Sequence, residues 1–276
     1  MKMKKYLFFL LVLGGFLEAM DVPAQEYNRI SLREKKTAAP VDTPTAANKA
    51  RQEQVVQIPG MVYISSGEFI MGTDEGFDYE GPSRKIFLQG FYIDKYEVTN
   101  TQYKRFVDST GINPPPNWKN GKIPSGEDNY PVVNVTYYEA LGYAKWAGKR
   151  LPTEEEWERS ARGPKAYIYP WGIDWNKKYA NVRPLIGFGK PKPVGSFPDG
   201  SSFEGVCDLC GNIWEWTTSW FTPYPGNSRP DPNFGEKFKV IRGGSYRQSE
   251  VLAQSVRRDF LDPNTTRVDV GFRCVK

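Results

Sequence analysis

Three stretches of the chain combine apolar residues at helical spacing with a helix start signal. Each opens with a threonine followed three residues later by Glu or Gln, a pair whose side chains satisfy each other's free backbone amides. The helices are predicted to begin at Thr99, Thr136 and Thr153 and to end before Gly111, Gly148 and Gly163. Apolar residues recur every three or four positions in these stretches, so each helix is expected to bury one face.

Short apolar runs, interrupted by Gly, Asp and Pro, indicate strands on both sides of these helices. They cover residues 61–64, 68–72, 85–88 and 91–98 before the helices and residues 239–242 and 270–275 near the C-terminus. No further helix is predicted beyond Pro170. The pattern therefore predicts one α+β domain, rich in loops, over residues 58–276.

One strand is distinctive because it carries an acid between two tryptophans. A Gly-Asn turn at residues 211–212 precedes strict alternation over residues 213–217. A strand here would place Trp214 and Trp216 on one face and Glu215 on the other. A buried carboxylate needs either an Arg or Lys partner or a cation, and the pattern alone leaves both alternatives open.

The first 24 residues have the composition of a secretory signal. A basic segment, residues 1–5 with three lysines, precedes an apolar run, 6–16, that is too short to span a membrane comfortably. Cleavage is expected before Gln25, with an uncleaved membrane anchor as the alternative. We therefore expect an exported protein, periplasmic or extracellular, that is not membrane-integral once the signal is cleaved. Residues 25–57 include a stretch, 37–49, with almost no large apolar side chain, which predicts a disordered linker over 25–57.

Composition narrows the possible chemistry. The net charge of +5 is small and evenly spread, so nucleic acid is not an expected partner. The chain has no histidine and three cysteines, which excludes an ordinary zinc site. Cys207 could pair with Cys210, or either could pair with Cys274. The Cys-x-x-Cys pair precedes a turn rather than opening a helix, which argues against a redox role.

Several motifs then match one family in the same order. They are YEVTN at 96–100, GKRLPTEEEWE at 148–158, PWG at 170–172, GNIWEW at 211–216, RGGSY at 242–246 and GFRC at 271–274. Residues 58–276 resemble the sulfatase-modifying-factor, or formylglycine-generating-enzyme, superfamily. The resemblance implies a single domain with an elaborated C-type-lectin-like core and little regular secondary structure.

The resemblance also implies where an oxidase would hold copper. Members with oxidase activity use two cysteines that bind copper to convert a cysteine of a sulfatase into formylglycine with molecular oxygen. In this chain the two positions fall on Gln248 and Ala253. Copper(I) needs thiolate or thioether ligands, so copper is not expected. The iron site of other branches is built from histidines and is not expected either, nor is haem or a nucleotide.

Calcium is the cofactor of the family for which this chain has matching residues. Its expected ligands are the Asp208 side chain, the Gly211 and Ile213 carbonyls and the Glu215 carboxylate. Oxygen donors of this kind suit a hard cation. A second, weaker site would begin at Asn181 and the Val182 carbonyl, but its later acidic ligand falls in a segment, 186–192, without an acid.

The resemblance also implies a substrate groove. Its matching residues are Trp214, Ser245 and Gln248, with Arg257 as a further candidate, although Trp214 could equally be core and Ser245 a turn residue. We therefore expect a calcium-stabilised binding or scaffold domain for an exported protein, peptide or glycan, without oxidase activity. The alternatives are an enzyme with different chemistry in the groove and, least favoured, a formylglycine-generating oxidase.

Overall fold

A computed structural model describes residues 56–184 and 189–276 of the chain. The chain divides into two units, residues 1–53 and 54–276, and all described residues belong to the second unit. The predicted signal peptide and residues 25–55 of the predicted linker lie outside the described residues. Among the described residues, no helix is long and apolar enough to cross a membrane.

The three predicted helices are confirmed. They are α1 (Asn100–Thr110), α2 (Tyr137–Trp146) and α3 (Glu154–Arg162). The predicted reciprocal caps are all present; at α1 the Thr99 hydroxyl accepts from the Gln102 amide at 3.2 Å and the Gln102 side chain accepts from the Thr99 amide at 2.8 Å. Gly111 then ends α1 in the left-handed region, at φ 70°, which a glycine adopts without strain.

Eight short strands accompany the helices in the described part of the chain. They are β1 (Met61–Ile64), β2 (Gly67–Met71), β3 (Arg84–Leu88), β4 (Phe91–Asp94), β5 (Trp214–Trp220), β6 (Lys239–Arg242), β7 (Arg258–Leu261) and β8 (Val270–Gly271). Strands β1 and β4 pair antiparallel, as do β2 and β3, and the remaining four form a sheet in the order β7-β6-β5-β8. Between α3 and the C-terminus the described helices are single 3-10 turns.

Two strands are shorter than predicted because the C-terminal segment changes partners. Gly271 pairs with Glu215 of β5, whereas the Cys274 carbonyl accepts from the Asp94 amide at 2.8 Å beside β4. A segment that passes from one partner strand to another cannot form one continuous ladder. The predicted strands 91–98 and 270–275 therefore reduce to β4 and β8.

Strand β5 brings the two main hydrophobic clusters together. Trp214 and Trp216 belong to a cluster built on the buried faces of α1 and α2, together with Phe272. Glu215 faces the other way and contacts Trp157, which packs in a second cluster with residues of α3, β1 and β4. The predicted alternation of the two tryptophans and the acid is confirmed.

A buried ion network, which the sequence pattern did not predict, joins α3 to the four-stranded sheet. Arg242 of β6 donates to Glu154 at 3.0 Å and to Glu158 at 2.5 Å. Arg258 of β7 donates to Glu154 at 2.8 Å, and Arg162 donates to Glu158 at 3.1 Å. Because Glu154 lies in the first turn of α3, the sequence predicts only a favourable interaction with the helix dipole. The fold buries this carboxylate, which therefore requires the arginine partners.

Candidate functional site: a buried acid cluster

Glu215 is held by an arginine that lies 58 residues further along the chain, Arg273. The Arg273 Nε donates to Oε2 at 2.7 Å and Nη2 donates to Oε1 at 2.7 Å, and neither side chain is exposed. The Trp157 indole N–H also donates to Oε2, at 2.8 Å. Of the two partners that the sequence left open for this acid, the arginine is therefore present.

Two further carboxylates lie close to this pair. Glu97 accepts from the Asn212 side-chain amide at 3.0 and 3.1 Å, and Asp208 accepts from the Gly195 amide at 2.6 Å. Burial raises the pKa of Asp208 to about 6. Burial, followed by the charges of Asp208 and Glu215, raises the pKa of Glu97 well above its usual range. Glu97 was missed as a site residue, although it stands between two apolar residues in the YEVTN motif, much as Glu215 stands between tryptophans.

The cluster can offer oxygen atoms to a hard cation. Glu97, Asp208 and Glu215 are all buried, and Arg273 is the guanidinium that faces them. A carboxylate has about four lone-pair sites, and the contacts to Arg273 and Trp157 occupy three of those on Glu215. The excess of negative charge favours a bound cation or a proton. Carboxylate oxygens are the donor chemistry that calcium needs, and the predicted calcium itself remains a prediction.

The turn before β5 is fixed by close contacts. Gly211 has φ 81°, and a Cβ there would lie 2.3 Å from the Asn181 carbonyl oxygen, so only glycine fits without a shift. Asn212, also left-handed at φ 59°, accepts from the Asn181 side chain at 3.0 Å and from the Lys192 amide at 2.9 Å. These contacts set the position of the Gly211 and Ile213 carbonyls.

The second, weaker calcium position remains a prediction. Asn181 uses its side-chain amide to donate to Asn212 and to the Lys190 carbonyl, both at 3.0 Å. Residues 185–188, where part of that site would lie, are outside the described residues.

Ser245 and Gln248, two of the predicted groove residues, are brought together. The buried Ser245 hydroxyl contacts the Gln248 side chain and lies 2.8 Å from Asp269 Oδ2. A hydroxyl has one hydrogen, so both contacts are satisfied only when the Gln248 amide turns its NH₂ toward Ser245. Asp269 is itself paired with Arg267 at 3.1 Å. Ser245 thus has the contacts of a turn residue, and no histidine exists in the chain to activate it.

The other two groove candidates have different contacts. Trp214 is buried in the hydrophobic core, and its backbone amide donates to the carbonyl of Asp269 at 2.8 Å. Arg257 pairs with Glu80, and its guanidinium lies 4.9 Å from the centre of the Phe77 ring. Ser245 and Gln248 are therefore in contact, whereas the groove formed by all four candidates remains a prediction.

The three cysteines are free and buried, so none of the possible disulfides is formed. Cys210 packs in an apolar cluster with Ala253, the second of the two positions that carry copper-binding cysteines in the oxidases. Burial raises the pKa of the Cys210 thiol, and burial also raises the pKa of Cys207. A raised thiol pKa reduces the thiolate fraction, which supports the prediction that this pair has no redox role.

The fold and the motifs around this cluster define a protein of the formylglycine-generating-enzyme type. The sulfatase-modifying factor enzyme 1-like domain family matches residues 45–276, and the chain belongs to this family. Over 277 aligned residues, the formylglycine-generating enzyme of Mus musculus is 32% identical, covering 78% of this chain and 74% of that protein. The inactive C-alpha-formylglycine-generating enzyme 2 of Mus musculus is 30% identical, covering 79% and 86%.

Solved structures agree with the fold class predicted from sequence. PvdO from Pseudomonas aeruginosa superposes with a TM-score of 0.64 at 27% identity, covering 78% of this chain and 93% of that chain. The α+β, loop-rich architecture is confirmed.

Proposed function

We propose that the protein is an exported binding or scaffold domain for a protein, peptide or glycan, without copper-dependent formylglycine oxidase activity. The observation that carries the lack of oxidase activity is the pair Gln248 and Ala253, which stand at the two oxidase cysteine positions. Gln248 contacts Ser245, and Ala253 is fully buried in an apolar cluster. Neither side chain supplies a sulfur ligand for copper.

One remaining thiol lies near these positions. Cys210 shares the apolar cluster of Ala253, but a single thiol with a raised pKa does not replace two thiolates. Both a formylglycine-generating enzyme and an inactive C-alpha-formylglycine-generating enzyme 2 are among the similar proteins. The residues at the two positions favour inactivity.

The catalytic part of the proposal is tested by product analysis. The purified protein is incubated with a sulfatase-type cysteine peptide, copper, oxygen and a thiol reductant, and the peptide mass is measured. We expect no conversion to formylglycine, whereas the mouse enzyme in parallel converts the peptide. Conversion by the wild-type chain would contradict the proposal. The variant Gln248→Cys/Ala253→Cys serves as a matched gain-of-ligand control and should bind copper(I) more tightly than the wild type.

The calcium part rests on the buried carboxylates. We propose that Asp208 and Glu215, with the Gly211 and Ile213 carbonyls, hold one calcium ion, which would neutralise the excess negative charge of the cluster. A ligand that binds only the native state stabilises it by about 2.7 kcal/mol at a hundred times its dissociation constant. We therefore expect calcium to raise the melting temperature above that in EDTA.

The control for calcium is Asp208→Asn, which removes a charged ligand while keeping an oxygen that can accept from Gly195. Its melting temperature should respond weakly to calcium, whereas that of Asp108→Asn, at an exposed acid of α1, should respond like the wild type. A wild-type melting temperature that is the same in EDTA and in calcium would count against the assignment.

A further inference from the structure

A surface pocket of about 390 Å³ lies between the loop that carries residues 76–79 and the loop that carries residues 227–234. Its volume falls within the range of about 300–1,000 Å³ that is typical of small-ligand sites. None of the residues expected to bind calcium lines it, and neither Ser245 nor Gln248 does. It is therefore a separate candidate site.

The loops of the pocket are held in place before any ligand binds. The Asn227 side chain donates to the Asp78 carbonyl at 2.7 Å and to the Gly81 carbonyl at 2.9 Å, which joins the two loops. At Gly76 an added Cβ would lie 2.1 Å from a Glu80 carboxylate oxygen, so this loop packs closely against Glu80. Preformed walls reduce the ordering cost of binding.

One wall of the pocket is aromatic. Phe77 stacks on Tyr79 with ring centres 5.4 Å apart, yet 47% of the residue remains exposed. Arg257 lies over the same ring and also donates to the Val251 carbonyl at 2.9 Å. Because Tyr79 and Arg257 pack against the ring, its position is fixed, and the part that stays exposed is the apolar surface left for the C–H groups of a ligand.

The polar wall offers donors and acceptors side by side. Asp78 and Arg229 form an exposed ion pair at the pocket, and Asp231 also lines it. One Asp231 oxygen accepts from the Asn233 amide at 2.8 Å. A carboxylate can accept from one ligand hydroxyl, while the guanidinium next to it donates to the neighbouring hydroxyl. A charged ligand would instead have to compete with the existing ion pair.

We propose that this pocket binds a neutral saccharide, with adjacent hydroxyls on Asp78 and Arg229 and the C–H groups of the sugar against Phe77. The proposal deepens the binding function proposed above, because it selects the glycan among the three ligand classes and gives it a site. The saccharide proposal rests on the proposed binding function and is independent of whether the protein has oxidase activity.

The test begins with an array of neutral oligosaccharides, after which the strongest binder is titrated by calorimetry against the wild type and three variants. Phe77→Ala and Asp78→Asn should each weaken binding by about tenfold or more, which corresponds to about 1.4 kcal/mol. Phe87→Ala is the matched control, since Phe87 is a phenylalanine of similar exposure, 58%, that does not line the pocket. Its affinity should equal that of the wild type, and melting temperatures show that the variants are folded.

Three results would overturn this assignment. The first is that the wild-type protein binds no neutral glycan on the array. The second is that neither Phe77→Ala nor Asp78→Asn changes the affinity for the bound glycan. The third is that the pocket binds a trilysine or triaspartate peptide instead of a neutral glycan. The two proposals fail separately. Formylglycine formation would contradict the proposed lack of oxidase activity and leave the pocket assignment intact. If the protein neither oxidises the peptide nor binds any neutral glycan, only the saccharide proposal is contradicted.

Discussion

Arg273→Met should destabilise the protein by about 3–5 kcal/mol, the cost of leaving one partner of a buried ion pair alone. Arg273 donates twice to Glu215 and also to the carbonyls of Asp94, Lys95 and Cys207, at 3.2, 3.3 and 2.9 Å. Without the guanidinium, and in EDTA so that no calcium is bound, the Trp157 indole N–H is the donor that remains to the Glu215 side chain among the described residues. Urea unfolding followed by tryptophan fluorescence measures the loss.

Two controls separate the unpaired charge from other effects. Asp108→Asn removes an exposed ion pair with Lys104 on α1 and should change the stability by at most about 0.5 kcal/mol. Glu215→Leu/Arg273→Met removes both charges, so it should be more stable than Arg273→Met alone. If the free energy of unfolding of Arg273→Met lies within about 1 kcal/mol of the wild-type value, the Glu215–Arg273 pair is not a buried ion pair whose loss leaves an unpaired charge.

Asp208→Asn should become more stable relative to the wild type as the pH rises from 4 to 7. Burial raises the pKa of Asp208 from 3.8 to about 6, so the native state holds this proton more tightly than the unfolded state does. The stability that the protonated acid contributes is complete below pH 3.8 and is lost as the pH rises through about 6. A shift of about two pKa units corresponds to roughly 3 kcal/mol.

The measurement is the difference in unfolding free energy between the variant and the wild type, in EDTA, at several pH values. Taking the difference removes the titrations that both proteins share. Glu97 strengthens the expected trend, because the charge of Asp208 is one of the causes that raise its pKa. A difference that stays constant from pH 4 to pH 7 would disprove the raised pKa. In calcium the trend should flatten, since the cation replaces the proton as the counter-charge.

Local features of the sequence were sufficient to predict much of the fold. A cap such as Thr99 with Gln102 acts over three residues, and the alternation around Glu215 needs only the geometry of a single strand. The order of the motifs was sufficient to predict the family, and the match to the family over residues 45–276 confirms that prediction. The predicted lengths of β4 and β8 were wrong, because strand length depends on which partner lies alongside.

The sequence by itself therefore determined the three capped helices, the orientation of the β5 side chains, the family and the absence of cysteines at Gln248 and Ala253. Only the tertiary structure decided that Glu215 is paired with Arg273, that Glu97 joins Asp208 beside them, and that Asp78 meets Arg229 across a pocket. The physical reason is distance along the chain. Capping and alternation act between near neighbours, whereas charges that are 58 or 151 residues apart in the chain meet only after the intervening chain has folded.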